Sequence, residues 1–269
     1  MTILVTGATA SVGRKVVDHL LDLGVTDIRA LTANPRKAAL PAQVHLVVGN
    51  PRKPETLATA FDGVERMYLA PNSDTAADVL ARARAAGVRH VVDLSGEPES
   101  WWGTVSAAVE KSGLDWTHLW PADFMENSLT WSEQIRGTGA VREPRPDIAS
   151  APIAMDDIAA VAATALTDDA HLGRSYSLAG PEILTRAELV RTLATALGRD
   201  IAFVPSTREE TIAALIPTMG ETAEWYVDNV LASFDAEPAG LPLTSVHDIT
   251  GRTATTFARW AAENAGRFR

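Results

Sequence analysis

The residues Met1-Thr-Ile-Leu-Val-Thr-Gly-Ala-Thr-Ala-Ser-Val-Gly13 compress a buried strand, a glycine turn and the start of a helix into thirteen positions. Thr2 to Val5 are apolar or β-branched, as a strand inside a sheet requires. Gly7 permits a tight turn, and Gly13 lets the following helix lie close against the strand. That helix is expected from about Ser11 to Leu23. Val12, Val16, Val17, Leu20 and Leu21 fall on one side of it, and Gly24 stops it. The free amides and positive dipole end of such a helix hold a phosphate without any basic side chain, so the turn predicts a dinucleotide's pyrophosphate here.

The spacing selects the kind of fingerprint. A strict G-x-G-x-x-G run from Gly7 needs glycine at positions 9 and 12, which are Thr9 and Val12. The wider G-x-x-G-x-x-G spacing fits Gly7 and Gly13 and leaves Ala10 in the middle, one methyl group where the backbone approaches phosphate. Such a turn alone is also compatible with any α/β protein. The cofactor-contact candidates of this turn are Gly7, Thr9, Ala10, Ser11, Val12 and Gly13.

At 269 residues and 46% hydrophobic content, the chain supports one large α/β domain, or a main domain with a smaller cap. The formal net charge of −10 opposes nonspecific binding to nucleic acid or to an anionic membrane. Without cysteine, disulfides, thiol catalysis, iron–sulfur clusters and cysteine-ligated zinc are excluded, and no metal ligand set is singled out. No targeting segment is expected, since the first strand begins within two residues of the N-terminus. The apolar stretch Ile158 to Leu166 is far shorter than the roughly 20 residues that span a bilayer. A cytoplasmic protein is expected.

Strand and helix signals then alternate as in a doubly wound parallel sheet. Candidate strands are Asp27 to Leu31, Gln43 to Val48, Arg66 to Ala70, Arg89 to Leu94 and Trp116 to Leu119. Helical spacing marks Glu55 to Phe61 and Ala76 to Ala86, ended by Gly63 and Gly87. Right-handed crossovers put the strand C-termini on one edge, where Gly7, Leu31 to Asn34, Gly49-Asn50, Ala70-Pro71 and Ser95-Gly96 should converge. Arg136 to Ile153 reads as loop, followed by a helix from Asp156 to Leu166 and a short strand from Ser175 to Leu178. Thr185-Arg-Ala-Glu188 is a capping box for a helix ending at Gly198, and Ile201 to Val204 is a further candidate strand. Residues from Thr207 on are mostly helical, with Pro217, Gly220 and Pro238 to Pro242 as breaks.

Several stretches, taken in order, are specific. They are Thr6-Gly-Ala-Thr with Gly13, Ala30-Leu-Thr-Ala-Asn-Pro-Arg-Lys37, Ala85-Ala-Gly-Val-Arg-His-Val-Val-Asp-Leu-Ser95, Ser112-Gly-Leu-Asp-Trp-Thr117 leading to Pro121, Phe124-Met-Glu-Asn127 and Met155-Asp-Asp-Ile-Ala159. In these the chain resembles the NmrA-like group of atypical short-chain dehydrogenases/reductases over nearly its whole length. Ser177-Leu-Ala-Gly-Pro-Glu182 and Leu197-Gly-Arg199 resemble the C-terminal lobe of that group. The resemblance implies an NAD(P)-binding Rossmann domain over residues 1–135, with 151–180 returning to it. It also implies a smaller, mostly helical substrate-binding lobe over 136–269.

The end of the second strand bears on cofactor choice. An NAD-specific site usually presents Asp or Glu there, whereas Thr32-Ala-Asn-Pro-Arg-Lys37 presents Asn34, Arg36 and Lys37. NADP(H) is therefore favoured and NAD(H) stays open, because relatives that bind NADPH commonly carry Arg where this chain has Ala33. Arg36 and Lys37 as plain solvated charges is the alternative. Asn50, with Pro51 beside it, stands where relatives often have Asp near adenine, and its amide is able to hydrogen-bond the base. Ala70, Pro71 and Ser95 complete the cofactor set.

Ordinary short-chain reductases use Tyr-x-x-x-Lys on one helix turn, and this chain has no such motif. Its tyrosines are Tyr68, Tyr176 and Tyr226, and the helix that would carry the pair begins near Trp101-Trp-Gly-Thr-Val-Ser106. Ser95 is the catalytic candidate, placed to hydrogen-bond a substrate carbonyl, with an ordinary strand-ending serine as the alternative. His118, between Trp116 and Trp120 in a strand, reads as a structural histidine.

Five of seven tryptophans, Trp101, Trp102, Trp116, Trp120 and Trp131, fall within 31 residues. Trp120 replaces an arginine common in relatives, which suits a flat aromatic substrate better than a small anion. Trp101, Trp102, Phe124, Met125 and Trp131 are the substrate-contact candidates, and core packing is the alternative for the tryptophans. The expected activity is NAD(P)H-dependent hydride transfer to a quinone or polycyclic aromatic ketone, which fits tailoring of an aromatic polyketide. A noncatalytic NAD(P) sensor of the NmrA type is the other reading. The expected partners are a small aromatic substrate, no nucleic acid and no membrane, in a monomer or homodimer.

Overall fold

The computed structural model describes residues 1–235 and 240–269. Strand β1 (Ile3–Val5) leads into α1 (Ser11–Asp22), then β2 (Ile28–Thr32), β3 (His45–Val48), β4 (Arg66–Leu69) and α2 (Ala76–Ala85). Next come β5 (His90–Leu94), α3 (Gly103–Ser112), β6 (Asp115–Pro121), α4 (Ser132–Thr138), β7 (Ala140–Glu143) and β8 (Ala149–Ser150). They are followed by α5 (Met155–Thr167), β9 (Arg174–Leu178), β10 (Leu184–Thr185), α6 (Arg186–Leu197) and β11 (Ala202–Pro205). The later described elements include α7 (Arg208–Met219), α8 (Ala223–Tyr226), α9 (Ser245–Thr250) and α10 (Phe257–Asn264). None of these helices is long and apolar enough to cross a membrane.

Two compact units form. The first comprises Met1–Pro121, Met155–Leu178 and Ser245–Arg252; the second comprises Ala122–Ala154, Ala179–Thr244 and Thr253–Arg269. Residues 122–135, grouped with the first domain by the sequence, belong to the second unit because Met125, Trp131 and Ile135 bury in its core.

The first unit is a seven-stranded parallel sheet in the order β3-β2-β1-β4-β5-β6-β9. This is the doubly wound α/β architecture expected from the strand–helix alternation. The order reverses between β1 and β4, so the C-terminal ends of those strands flank the crevice where ligands of such sheets bind. The fully buried Thr6 side chain locks this point: its hydroxyl donates to the Tyr68 carbonyl at 3.0 Å and accepts from the Ala70 amide at 2.8 Å. The helix expected over Glu55 to Phe61 is instead a 3₁₀ turn, Pro54–Leu57. There the Thr56 hydroxyl donates to the Lys53 carbonyl at 2.7 Å, competing with helix continuation, while Leu57, Ala60, Phe61 and Val64 still bury.

The second unit corrects two expectations. Arg136 to Ile153, read as loop, contains the end of α4 and the strands β7 and β8. Both strands pair with segments distant in sequence, β7 parallel to β11 and β8 antiparallel to β10, so no local pattern announces them. Pro217, read as a break, lies inside the last turn of α7, and Gly220 follows the helix end. The expected break from Pro238 to Pro242 falls in part outside the described residues.

A buried ionic cluster organises this unit. Arg186 donates to both oxygens of Glu143 at 2.8 Å and to Asp123 at 3.4 Å, and the Trp131 indole donates to Glu143 at 2.6 Å. Burial pushes the Asp123 carboxyl upward, against the opposing pull of Arg186 and the Asn127 hydrogen bond. Removing Arg186 leaves Glu143 buried without its cation. Arg186→Met is expected to cost about 3–5 kcal/mol, checked by urea unfolding; a loss indistinguishable from zero would show the cluster to be dispensable.

Candidate active site

The glycine turn is built by close approach. Gly7 has φ +61°, and a Cβ there would stand 2.8 Å from the Cβ of Ala70. A Cβ on Gly13 would stand 2.2 Å from the Gly7 carbonyl oxygen, inside any real contact. The first turn of α1 is therefore pressed onto the end of β1. Arg14 N–H makes the first helical bond, to the Ala10 carbonyl, which leaves the amides of Ser11, Val12 and Gly13 ahead of it. Ala10, the N-cap, has no side chain to cap them. Thr9, Ala10 and Ser11 are exposed, whereas Val12 packs inward.

At the end of β2, Asn34 starts a 3₁₀ turn, Pro35–Lys37, and Asn34, Arg36 and Lys37 are all exposed. No acidic residue stands at this strand end. The Asn34 amide donates to the Thr32 hydroxyl at 3.1 Å. Sequence reasoning passed over Arg14, whose guanidinium donates to the Ala39 carbonyl at 2.7 Å and so adds a third cation beside this turn. Its position directly after Gly13 was the available signal. Asn50 is half committed, since its side-chain oxygen accepts from the Arg52 amide at 3.0 Å and only its NH₂ remains for a base. Pro51 and Pro71 are half-buried beside it and at the end of β4.

Ser95 follows β5 and is buried, with its amide donating to the Leu119 carbonyl at 3.0 Å. Ser106 on α3, also missed from sequence, lies 2.9 Å from the Ser95 hydroxyl and 2.8 Å from the Gly96 carbonyl, and it accepts from the Trp120 indole at 3.3 Å. A Cβ on Gly96 would meet Ser100 Oγ at 2.3 Å and Trp102 Cβ at 3.0 Å, so the loop after Ser95 folds back on itself. That fold sets the Cβ of Trp102 against Gly96, while Trp101 and Trp102 stay 59% and 38% exposed.

The other candidates separate. His118 is fully buried, 2.6 Å from Asp93 through Nδ1, and stacks on Trp116 with ring centroids 4.1 Å apart. Tyr68 is wholly inside the sheet, where burial pushes its phenol far up. Met125 and Trp131, taken as substrate contacts, are core residues of the second unit, 1% and 0% exposed, because the indole of Trp131 is occupied by Glu143. Phe124 is half-buried at the start of the same turn.

The model for the NAD(P)H-binding family matches residues 7–97, from the first glycine of the turn to just past Ser95-Gly96. The chain is 36% identical to the (4-alkanoyl-5-oxo-2,5-dihydrofuran-3-yl)methyl phosphate reductase of Streptomyces griseus, and 33% identical to the NAD(P)H azoreductase of Xenophilus azovorans. Each alignment covers 99% of both chains. The chain belongs to the NmrA-like atypical short-chain dehydrogenases/reductases. The same fold is seen in the NADPH-dependent quinone oxidoreductase of Escherichia coli solved with NADPH, with a TM-score of 0.86 at 23% identity over 97% of this chain and 99% of that one. As a member of this family the protein is an NAD(P)H-dependent oxidoreductase.

The residues present fit that cofactor: the uncapped amides of α1 suit a pyrophosphate, and the missing Cβ of Gly13 lets that first turn pack against Gly7 at the end of β1. Gly13→Ala is expected to weaken NAD(P)H binding at least tenfold in a tryptophan-quenching titration. Gly24→Ala, at a position with φ +78° and no neighbouring atoms, should cost stability of about 1 kcal/mol with affinity unchanged. Equal affinities for Gly13→Ala and wild type would show that the close approach does not set the site.

Proposed function

We propose that the chain is an NADPH-dependent reductase acting on a flat, conjugated, electron-poor acceptor, a quinone or a polycyclic aromatic ketone, in tailoring of an aromatic polyketide. The observation that carries this reading is the exposed pair Trp101 and Trp102, on the loop that folds back against Gly96, the residue after Ser95. Exposed indole surface is costly, and a planar π-system stacking on it removes that surface from water. The relatives' names fit the same chemistry, since an oxo-dihydrofuran, an azo compound and a quinone are all conjugated acceptors.

When bound, NADPH supplies the hydride. The chain's own part is to hold and orient. The α1 amides take the pyrophosphate, Arg36 and Lys37 face the 2′-phosphate, and Trp101 and Trp102 set the plane of the acceptor. Ser95 hydrogen-bonds the oxygen on which negative charge develops. Charge spread over a conjugated product lowers the demand for a strong acid, which is consistent with the absence of Tyr-x-x-x-Lys.

Replacing Arg36 and Lys37 together by Ala should raise the NADPH dissociation constant by about tenfold with NADH binding unchanged; equal losses for both cofactors would overturn the NADPH preference. With 1,4-naphthoquinone as acceptor, Trp101→Ala combined with Trp102→Ala should raise KM severalfold at unaltered NADPH affinity. Tight NADPH binding without turnover on a panel of quinones and aromatic ketones would favour the sensor reading over the enzyme acting on such acceptors.

A further inference from the structure

Ser106 holds a hydrogen-bonding position that it cannot fill in one way only. Its oxygen lies 2.8 Å from the Gly96 carbonyl, 2.9 Å from Ser95 Oγ and 3.3 Å from Trp120 Nε1. The indole N–H is only a donor and the carbonyl is only an acceptor, whereas a serine hydroxyl is both. Ser106 has one proton for two acceptors. With that proton on the Gly96 carbonyl, Ser106 accepts from Trp120 and from Ser95, and Ser95 then offers only lone pairs to a ligand. With the proton turned toward Ser95, all three groups point the same way, from the Trp120 N–H through Ser106 to Ser95, and the Ser95 proton is released toward a ligand oxygen.

We propose that Ser106 is the positioning residue that makes Ser95 a hydrogen-bond donor. The inference rests on the reading that Ser95 faces the acceptor oxygen. The chain of donors is fixed at its far end, because Trp120 belongs to a ladder of rings in which His118 lies between Trp116 and Trp120, at centroid distances of 4.1 and 5.8 Å. That His118 is anchored in turn on Asp93 at 2.6 Å. Ser95 and Ser106 are 5% and 3% exposed, so water does not compete for these bonds, and aligned donors strengthen one another in such surroundings. No bond to hydrogen is broken in the relay: the hydroxyl of Ser106 rotates, and charge growing on the acceptor oxygen draws the chain into its donating sense. Trp101 and Trp102 orient the acceptor, and Ser106 orients the proton that meets it.

The test is steady-state kinetics of the full chain with NADPH and 1,4-naphthoquinone. Ser106→Ala should lower kcat about three- to tenfold with NADPH affinity unmoved. Ser95→Ala should lower kcat at least as far, and the double variant should be no slower than Ser95→Ala alone. Ser106→Thr, which keeps the hydroxyl, should restore most of the rate, and Trp120→Phe, which removes only the N–H, should lose severalfold. Additive losses in the double variant, or full kcat in both Ser106→Ala and Trp120→Phe beside a slow Ser95→Ala, would overturn the role of Ser106 and leave that of Ser95 standing. Wild-type kcat in Ser95→Ala, or no turnover by the wild-type protein, would instead strike the acceptor reading itself, and this inference with it.

Discussion

The first unit depends on one contact, the packing of Gly13 against the carbonyl of Gly7. A helix that starts so close to the strand it follows has its first amides at the C-terminal edge of the sheet, and Ala10 makes no side-chain cap to them. The same contact fixes where β1 ends. Thr6, the next residue back, bridges to β4 through the Tyr68 carbonyl and the Ala70 amide. The helix start thus meets the end of β1 where the strand order reverses, through a backbone approach that only glycine permits.

Toward β5 and β6 the edge is furnished differently. It carries two hydroxyls, an indole N–H and a stacked His118 that is paired with Asp93 and sealed from solvent. The two hydroxyls and the indole N–H are able to direct a hydrogen bond. The exposed tryptophan pair on the loop before α3 is the reverse of ordinary burial.

The second unit is held by opposite means. Arg186, Glu143 and Asp123 are all buried, and they are tolerable only together, with Trp131 and Asn127 occupying further hydrogen-bonding positions. This explains why Trp131 is unavailable to a ligand. Trp131 reads from sequence as a substrate contact with core packing as the alternative, and Glu143, twelve residues on, takes its N–H. The strand β7 that presents Glu143 exists because it pairs with β11, whose residues follow some sixty positions later.

The local signals were sufficient for the parallel sheet, the glycine turn, the capping box at Thr185 and the cations after β2, because each rests on neighbours within a few residues or on a short period. Family membership was also legible, in the ordered run of motifs from Thr6 to Ala159. Tertiary structure alone decided the rest. It turned Glu55 to Phe61 into a 3₁₀ turn, made β7 and β8 from an apparent loop, buried Met125 and Trp131, and brought Ser106 and Trp120 to Ser95. Those outcomes depend on which distant groups meet, and a hydroxyl or an indole on its own carries no mark of the partner that will satisfy it.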